Sequence, residues 1–101
     1  MVRVDWAKPA LTDLREIYEF IARDSSRYAQ LTVEKITGAT ASLARFPQLG
    51  EVLPEFPSLA YRQIVVGNYR LIYREDQRAN RVFVIAVVHA SRKIEPIFEN
   101  R

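Results

Sequence analysis

Val2, Val4 and Trp6 alternate with Arg3 and Asp5, the period of two that a half-buried strand requires. After Pro9 the period changes. Leu11, Leu14, Ile17, Tyr18 and Ile21 recur at helical spacing, which predicts an amphipathic helix with Pro9 in its first turn and an end near Asp24. Asp13, Glu16 and Glu19 fall off this stripe and read as a solvated face. Ser25 or Ser26 can cap a second helix, from about Arg27 to Arg45, whose stripe is Ala29, Val33, Ile36, Thr40 and Leu43. Gly38 within it costs about 1 kcal/mol relative to Ala, and a close crossing with a neighbour would account for it. Pro47 ends the helix. The short link between the two predicts an antiparallel helical hairpin.

A loop from Phe46 to about Ser58, carrying Pro47, Pro54 and Pro57, leads into three strands. They are predicted at about Ala60–Val66, Tyr69–Arg74 and Arg81–His89. Gly67-Asn68 suits a two-residue type II′ hairpin turn, and Asp76 to Asn80 supplies the next. Val82 to Val88 is apolar at nearly every position, as expected of a central strand covered on both sides. A helical first half followed by a strand-rich second half argues for an α+β fold: an N-terminal strand, an antiparallel helical hairpin, then a three-stranded antiparallel meander. A length of 101 residues predicts one domain spanning 1–101.

The tight turn fixes a register. Val66 should face Tyr69, Val65 Arg70, Ile64 Leu71, Gln63 Ile72 and Tyr61 Arg74, and cross-strand partners share a face. One face then carries Ile64, Val66, Tyr69, Leu71 and Tyr73, with Arg62 at its end, and should receive the helices. The other carries Tyr61, Gln63, Val65, Arg70, Ile72 and Arg74, and is expected to be the open, functional face. Arg70 and Arg74 lie roughly 13 Å apart along their strand, able to hold separate phosphates or carboxylates, or to pair with acids such as Glu75 or Asp76.

Charge sharpens this picture. The net charge is +3, and twelve arginines stand against three lysines; Arg is the side chain suited to bidentate phosphate or carboxylate contacts. The chain has no cysteine and a single histidine, so a disulfide framework, thiol chemistry and a zinc site are not expected. No cofactor-binding loop, metal cluster or nucleophile motif is legible. Charges interrupt the N-terminal segment, and the longest apolar run is too short to span a bilayer; a cytoplasmic protein without membrane contact is expected. His89 ends the last strand and is followed by Arg92 and Lys93. Its imidazole is suited to proton transfer, but a structural role is as open to it.

The chain resembles the RelE/ParE toxin superfamily over nearly its whole length. The residues that carry the resemblance are Trp6-Ala7, Ala10, Asp13-Leu14 and Ile17, then Leu43 to Phe46-Pro47 and Gly50. They continue with Tyr61-Arg62, Val66 through Tyr73, and Val87-Val88-His89 with Arg92. The resemblance implies the same strand, helical hairpin and meander, and a toxin neutralised by a cognate antitoxin, with operator DNA contacted only through that antitoxin. It also implies one of two targets. RelE-like members cleave mRNA on the ribosome without a metal, whereas ParE-like members inhibit DNA gyrase by binding and are associated with plasmid stabilisation. Ala90 and Pro96 stand about where an active ribonuclease would carry an arginine and a tyrosine, and Tyr61-Arg62 with His89-x-x-Arg92 looks ParE-like, so the gyrase branch is favoured. Under that reading Tyr61, Arg62, Gln63, Arg70, Arg74, Arg92 and Lys93 bind the target or the antitoxin. Under the ribonuclease reading Arg70, His89, Arg92 and Lys93 form the catalytic set. An inactive member that only binds its antitoxin is the third alternative.

Overall fold

A computed structural model describes residues 1–99. Its elements run β1 (Arg3–Trp6), α1 (Lys8–Ala22), α2 (Ser26–Arg45), β2 (Glu51–Val52), β3 (Tyr61–Val66), β4 (Tyr69–Asp76), β5 (Arg81–His89) and α3 (Glu95–Glu99). Pro9 sits in the first turn of α1. Ser25 caps α2, its hydroxyl accepting the Tyr28 amide at 3.1 Å. The five strands form one sheet in the order β1-β5-β4-β3-β2. β1 lies parallel to β5, and the other pairs are antiparallel.

The β3–β4 register is the expected one at every pair from Tyr61↔Arg74 to Val66↔Tyr69. Gly67 takes φ +57° while Asn68 is not left-handed, as a type II′ turn requires. Between β4 and β5 the register slips once: Ile72 faces Ala86 and Tyr73 faces Val84, so Ile85 is passed over as a bulge. The bulge inverts the alternation of β5. Val82, Val84 and Val87 therefore join the core beneath the helices, with Ala10, Ile36, Leu43, Leu71 and Tyr73. Ala86 and Val88 turn to the opposite face, with Ile72. β5 is an inner strand between β1 and β4, covered on the helix side and, on the outer side, at Ala86 and Val88 only, while Phe83 stays partly exposed.

Several expectations are corrected. The outer face is not open along its length. The loop after β2, read from sequence only as a connection, and the α3 segment, not read at all, bring Leu53, Ile94 and Ile97 over Ile72, Ala86 and Val88. On α1 the buried stripe is narrower than predicted: Leu14 and Ile17 pack against the core, while Leu11 and Tyr18 point outward. Asp13 is not merely solvated, because its carboxylate accepts the Val87 amide at 3.0 Å just past the end of β1. Gly38 marks no close crossing; a methyl there would meet open space.

The glycine that does matter is Gly50. Its N–H donates to the phenol of fully buried Tyr73 at 2.9 Å, and its carbonyl accepts from Arg62 Nη1 at 2.7 Å. A Cβ at this position would lie 2.5 Å from the Gln63 carbonyl oxygen and 2.8 Å from the Tyr73 ring. One is backbone and the other is locked in the core, so neither can yield cheaply. Gly50→Ala is therefore expected to lower stability by about 2 kcal/mol, while Gly38→Ala raises it by up to about 1 kcal/mol. Urea unfolding of both variants checks the contrast.

Candidate functional site

Arg70 has its side chain on the outer face, opposite Val65 and Val88, yet it is only 8% exposed. A guanidinium in such a place must find partners within the chain. Nη1 and Nη2 donate in parallel to the two carboxylate oxygens of Glu55, each at 2.8 Å. Nε donates to Gln63 Oε1 at 2.6 Å, and Gln63 Nε2 donates on to Glu51 Oε1 at 2.6 Å. The fork-on-fork contact with Arg70 holds the Glu55 carboxyl below its usual range, against the opposing effect of burial. The same contact raises Arg70. Arg70 thus staples the loop containing Glu55 to the sheet.

The other residues singled out from sequence are dispersed. Arg62 is occupied by Gly50, as above. The Tyr61 ring packs on Phe98, centroids 4.6 Å apart. Arg74 lies over Phe83 at 5.6 Å. His89 pairs with Tyr69, which packs against the helix-side core, and the two rings meet edge to face at 5.6 Å. Arg70 and His89 are therefore on opposite faces of the sheet. The His89 Nδ1 receives the Ser91 amide at 3.2 Å and lies 2.7 Å from the Ser91 hydroxyl. This pattern assigns the proton of the neutral ring to Nε2.

Three recesses collect near this end of the molecule. One, on the outer face, brings Arg70, Ser91, Arg92 and Lys93 together with Glu55 and Glu95. A second, between α1 and the end of β5, is lined by Asp13, Glu16, Ile17, Phe20, Tyr69, His89 and Arg92. A third runs between α2 and the β3–β4 turn, lined by Tyr28, Leu31, Lys35, Val66 and Tyr69. Phe20, Tyr28 and Leu31 are 66%, 59% and 44% exposed, so apolar side chains face solvent on both sides of Tyr69. Burial, and more weakly Tyr28, raises the Tyr69 phenol above its usual value. Sequence reasoning missed these apolar residues, although Tyr28 and Leu31 stand three apart off the buried stripe of α2, a spacing that marks a second apolar face. Glu55 carried no signal in its proline-rich loop. Among the described residues no group of three His, Asp or Glu is placed to hold a metal ion, and no helix is long and apolar enough to cross a membrane.

A strand, a helical hairpin and an antiparallel meander packed on it define the RelE/ParE class of small α+β toxins. Residues 4–94 match the family described as ParE toxin of type II toxin-antitoxin system, parDE, and the chain belongs to that family. Among solved structures it is similar to the chromosomal ParDE toxin–antitoxin system of P. aeruginosa, with a TM-score of 0.72 at 15% identity, over 90% of this chain and 98% of that one. The RelBE2 toxin–antitoxin complex of Mycobacterium tuberculosis matches with a TM-score of 0.62 at 26% identity, over 89% and 93% of the two chains. The isolated E. coli RelE toxin matches with a TM-score of 0.64 at 19% identity, over the whole of both chains. No curated protein matches the sequence.

The Arg70–Glu55 pair makes the fold sensitive to acid. A carboxyl whose folded pKa is depressed contributes stability above its ordinary value of 4.5, and that contribution is lost as pH falls through the depressed value. Glu55→Gln is expected to cost about 2 kcal/mol at pH 7, less than a fully buried pair because Glu55 keeps some contact with water. It should also flatten the loss of stability below pH 4.5. Urea unfolding across that range, wild type against variant, is the measurement.

Proposed function

We propose that this toxin arrests growth by binding DNA gyrase rather than by cleaving mRNA, and that a cognate antitoxin neutralises it by occupying the grooves around Tyr69. The observation that carries the first part is the separation of Arg70 from His89. A strand arginine that neutralises a scissile phosphate and a histidine that moves its proton must reach the same atoms. Here the arginine is saturated by Glu55 and Gln63 beneath a loop, and the histidine faces the helices. A protein that acts by contact needs no such set, and the exposed apolar groups on the helical hairpin supply a contact surface. The second part follows from the same surface. The similar P. aeruginosa and M. tuberculosis structures are toxin–antitoxin assemblies. In this chain, Tyr28 and Leu31 on one side of Tyr69 and Phe20 on the other offer anchors for an amphipathic segment.

One observation favours the ribonuclease reading: Arg70, Arg92 and Lys93 line a single recess. The two readings separate in one pair of assays. Purified toxin is expected to inhibit gyrase supercoiling, with relief on adding the neighbouring gene's product. It is expected to leave mRNA on translating ribosomes intact. Unimpaired supercoiling at saturating toxin, with cleaved mRNA, would transfer the function to the ribosome.

The antitoxin groove has its own test. Leu31→Glu places a charge on an exposed position and should leave thermal unfolding unchanged. It should weaken antitoxin binding at least tenfold, about 1.4 kcal/mol, by titration calorimetry. Undiminished affinity would place the antitoxin elsewhere.

A further inference from the structure

The loop and α3 cover only part of the outer sheet face. Toward the end where β5 begins, two rows of side chains lie beyond the second core, except that Tyr61, at the edge of the first row, packs against Phe98. Register places Asp5, Phe83, Arg74 and Tyr61 side by side across β1, β5, β4 and β3, and Arg3, Arg81 and Asp76 in the next row. Cross-strand partners share a face, and none of these seven residues is fully buried. Four strands side by side span roughly 14 Å.

The chemistry of this strip is uneven. Phe83, partly exposed, has two guanidiniums over its ring, Arg81 at 4.9 Å and Arg74 at 5.6 Å from the ring centre, which an incoming base would displace or share. Asp5 accepts from both Arg3 and Arg81, and these contacts hold its carboxyl below the usual range, that of Arg81 most. Arg74 has no carboxylate partner among the described residues; its contact is the Phe83 ring. Arg78 stands exposed in the adjoining turn, whose Asp76 is engaged by the Ala79 amide. Four arginines against two aspartates leave a local charge of +2 around an aromatic ring. Nothing in the core requires it, and this half-face is at the opposite end of the sheet from the Arg70 recess and the Tyr69 grooves.

We propose that this uncovered half-face binds single-stranded nucleic acid, with a base laid against Phe83 and the flanking phosphates taken by Arg74 and Arg78. A ring flanked by cations on a flat sheet offers the two contacts such a strand needs, stacking and charge neutralisation, neither of which reads sequence. A duplex presents no base face to Phe83, so the strand is unpaired. The inference does not depend on gyrase being the target.

The test is fluorescence anisotropy of labelled oligo(dT) and oligo(rU) with the purified full chain, between about 50 and 200 mM salt. A strand carrying 2-aminopurine reports stacking. Binding is expected at the low salt and should weaken as salt rises. Arg74→Gln should lower affinity about fivefold and reduce the salt slope by about one. Phe83→Leu should lower affinity similarly and abolish the 2-aminopurine quenching. Arg15→Gln with Arg27→Gln, exposed on the helical hairpin across the sheet, should change affinity less than about twofold. Should Phe83→Leu disturb the fold, Arg78→Gln, on an exposed turn, carries the same expectation of a reduced slope. The proposal is overturned by absence of binding at low salt, by equal weakening from the Arg15/Arg27 pair and Arg74, or by quenching that survives in Phe83→Leu.

Discussion

Strands β4 and β5 are covered by the helices on one side and, over the half of β5 that ends at His89, by a loop and the α3 segment on the other, and every polar group they send into those cores must be matched by the chain itself. The rest of the structure is arranged around that demand. The bulge at Ile85 lets β5 supply valines to the helix-side core and then Ala86 and Val88 to the outer one. Tyr73, wholly enclosed, directs its hydroxyl to the Gly50 amide, so the loop after α2 must pass close against the sheet. Arg70, enclosed on the other side, takes both oxygens of Glu55, so the next loop must fold back over the outer face. Two long connections are thereby fixed by one buried hydroxyl and one buried guanidinium. Neither connection contains much regular structure of its own. The four residues Glu51, Gln63, Arg70 and Glu55 form a satisfied polar chain, the form in which buried polar groups are tolerated.

Much of this was legible in the sequence because it rests on short-range rules. Alternation in β1, the helical stripes, the Ser25 cap and the Gly67-Asn68 turn each depend on neighbours a few residues away, and the β3–β4 register follows from the turn alone. What was not legible depends on distant pairs. β2 is two residues long and exists only because Glu51 and Val52 meet Gln63 and Arg62. The short helix α3 has no periodicity to display. The bulge cannot be read from a strand that is apolar from Val82 to Val88, and without it the face occupied by His89 is undetermined. Arg70 was correctly placed on the outer face, but its partner lies fifteen positions away in sequence, in a loop where one glutamate looks like any other. Hence the candidate site residues were found individually while their grouping was not.

The likeness to ParDE and RelE structures at 15–19% identity shows the fold to be specified by layout more than by particular side chains. A sheet faced by a helical hairpin on one side needs apolar positions at the right spacing, and many residues meet that need. Function sits in the remainder: which cations are left unpaired, which apolar groups face outward, and what covers the second side of the sheet.

Asp13 brings a consequence of another kind. β1 pairs with β5 only as far as Trp6 and Val84, after which the flank of β5 would present its backbone to any passing strand. Unpaired sheet edges recruit other chains and seed aggregation. The Asp13 carboxylate, reaching over from α1, takes the Val87 amide that a further strand would have used, and it sets a negative charge where another chain would approach. A side chain on a helix thus stands in for a missing strand at this flank of a small, arginine-rich protein.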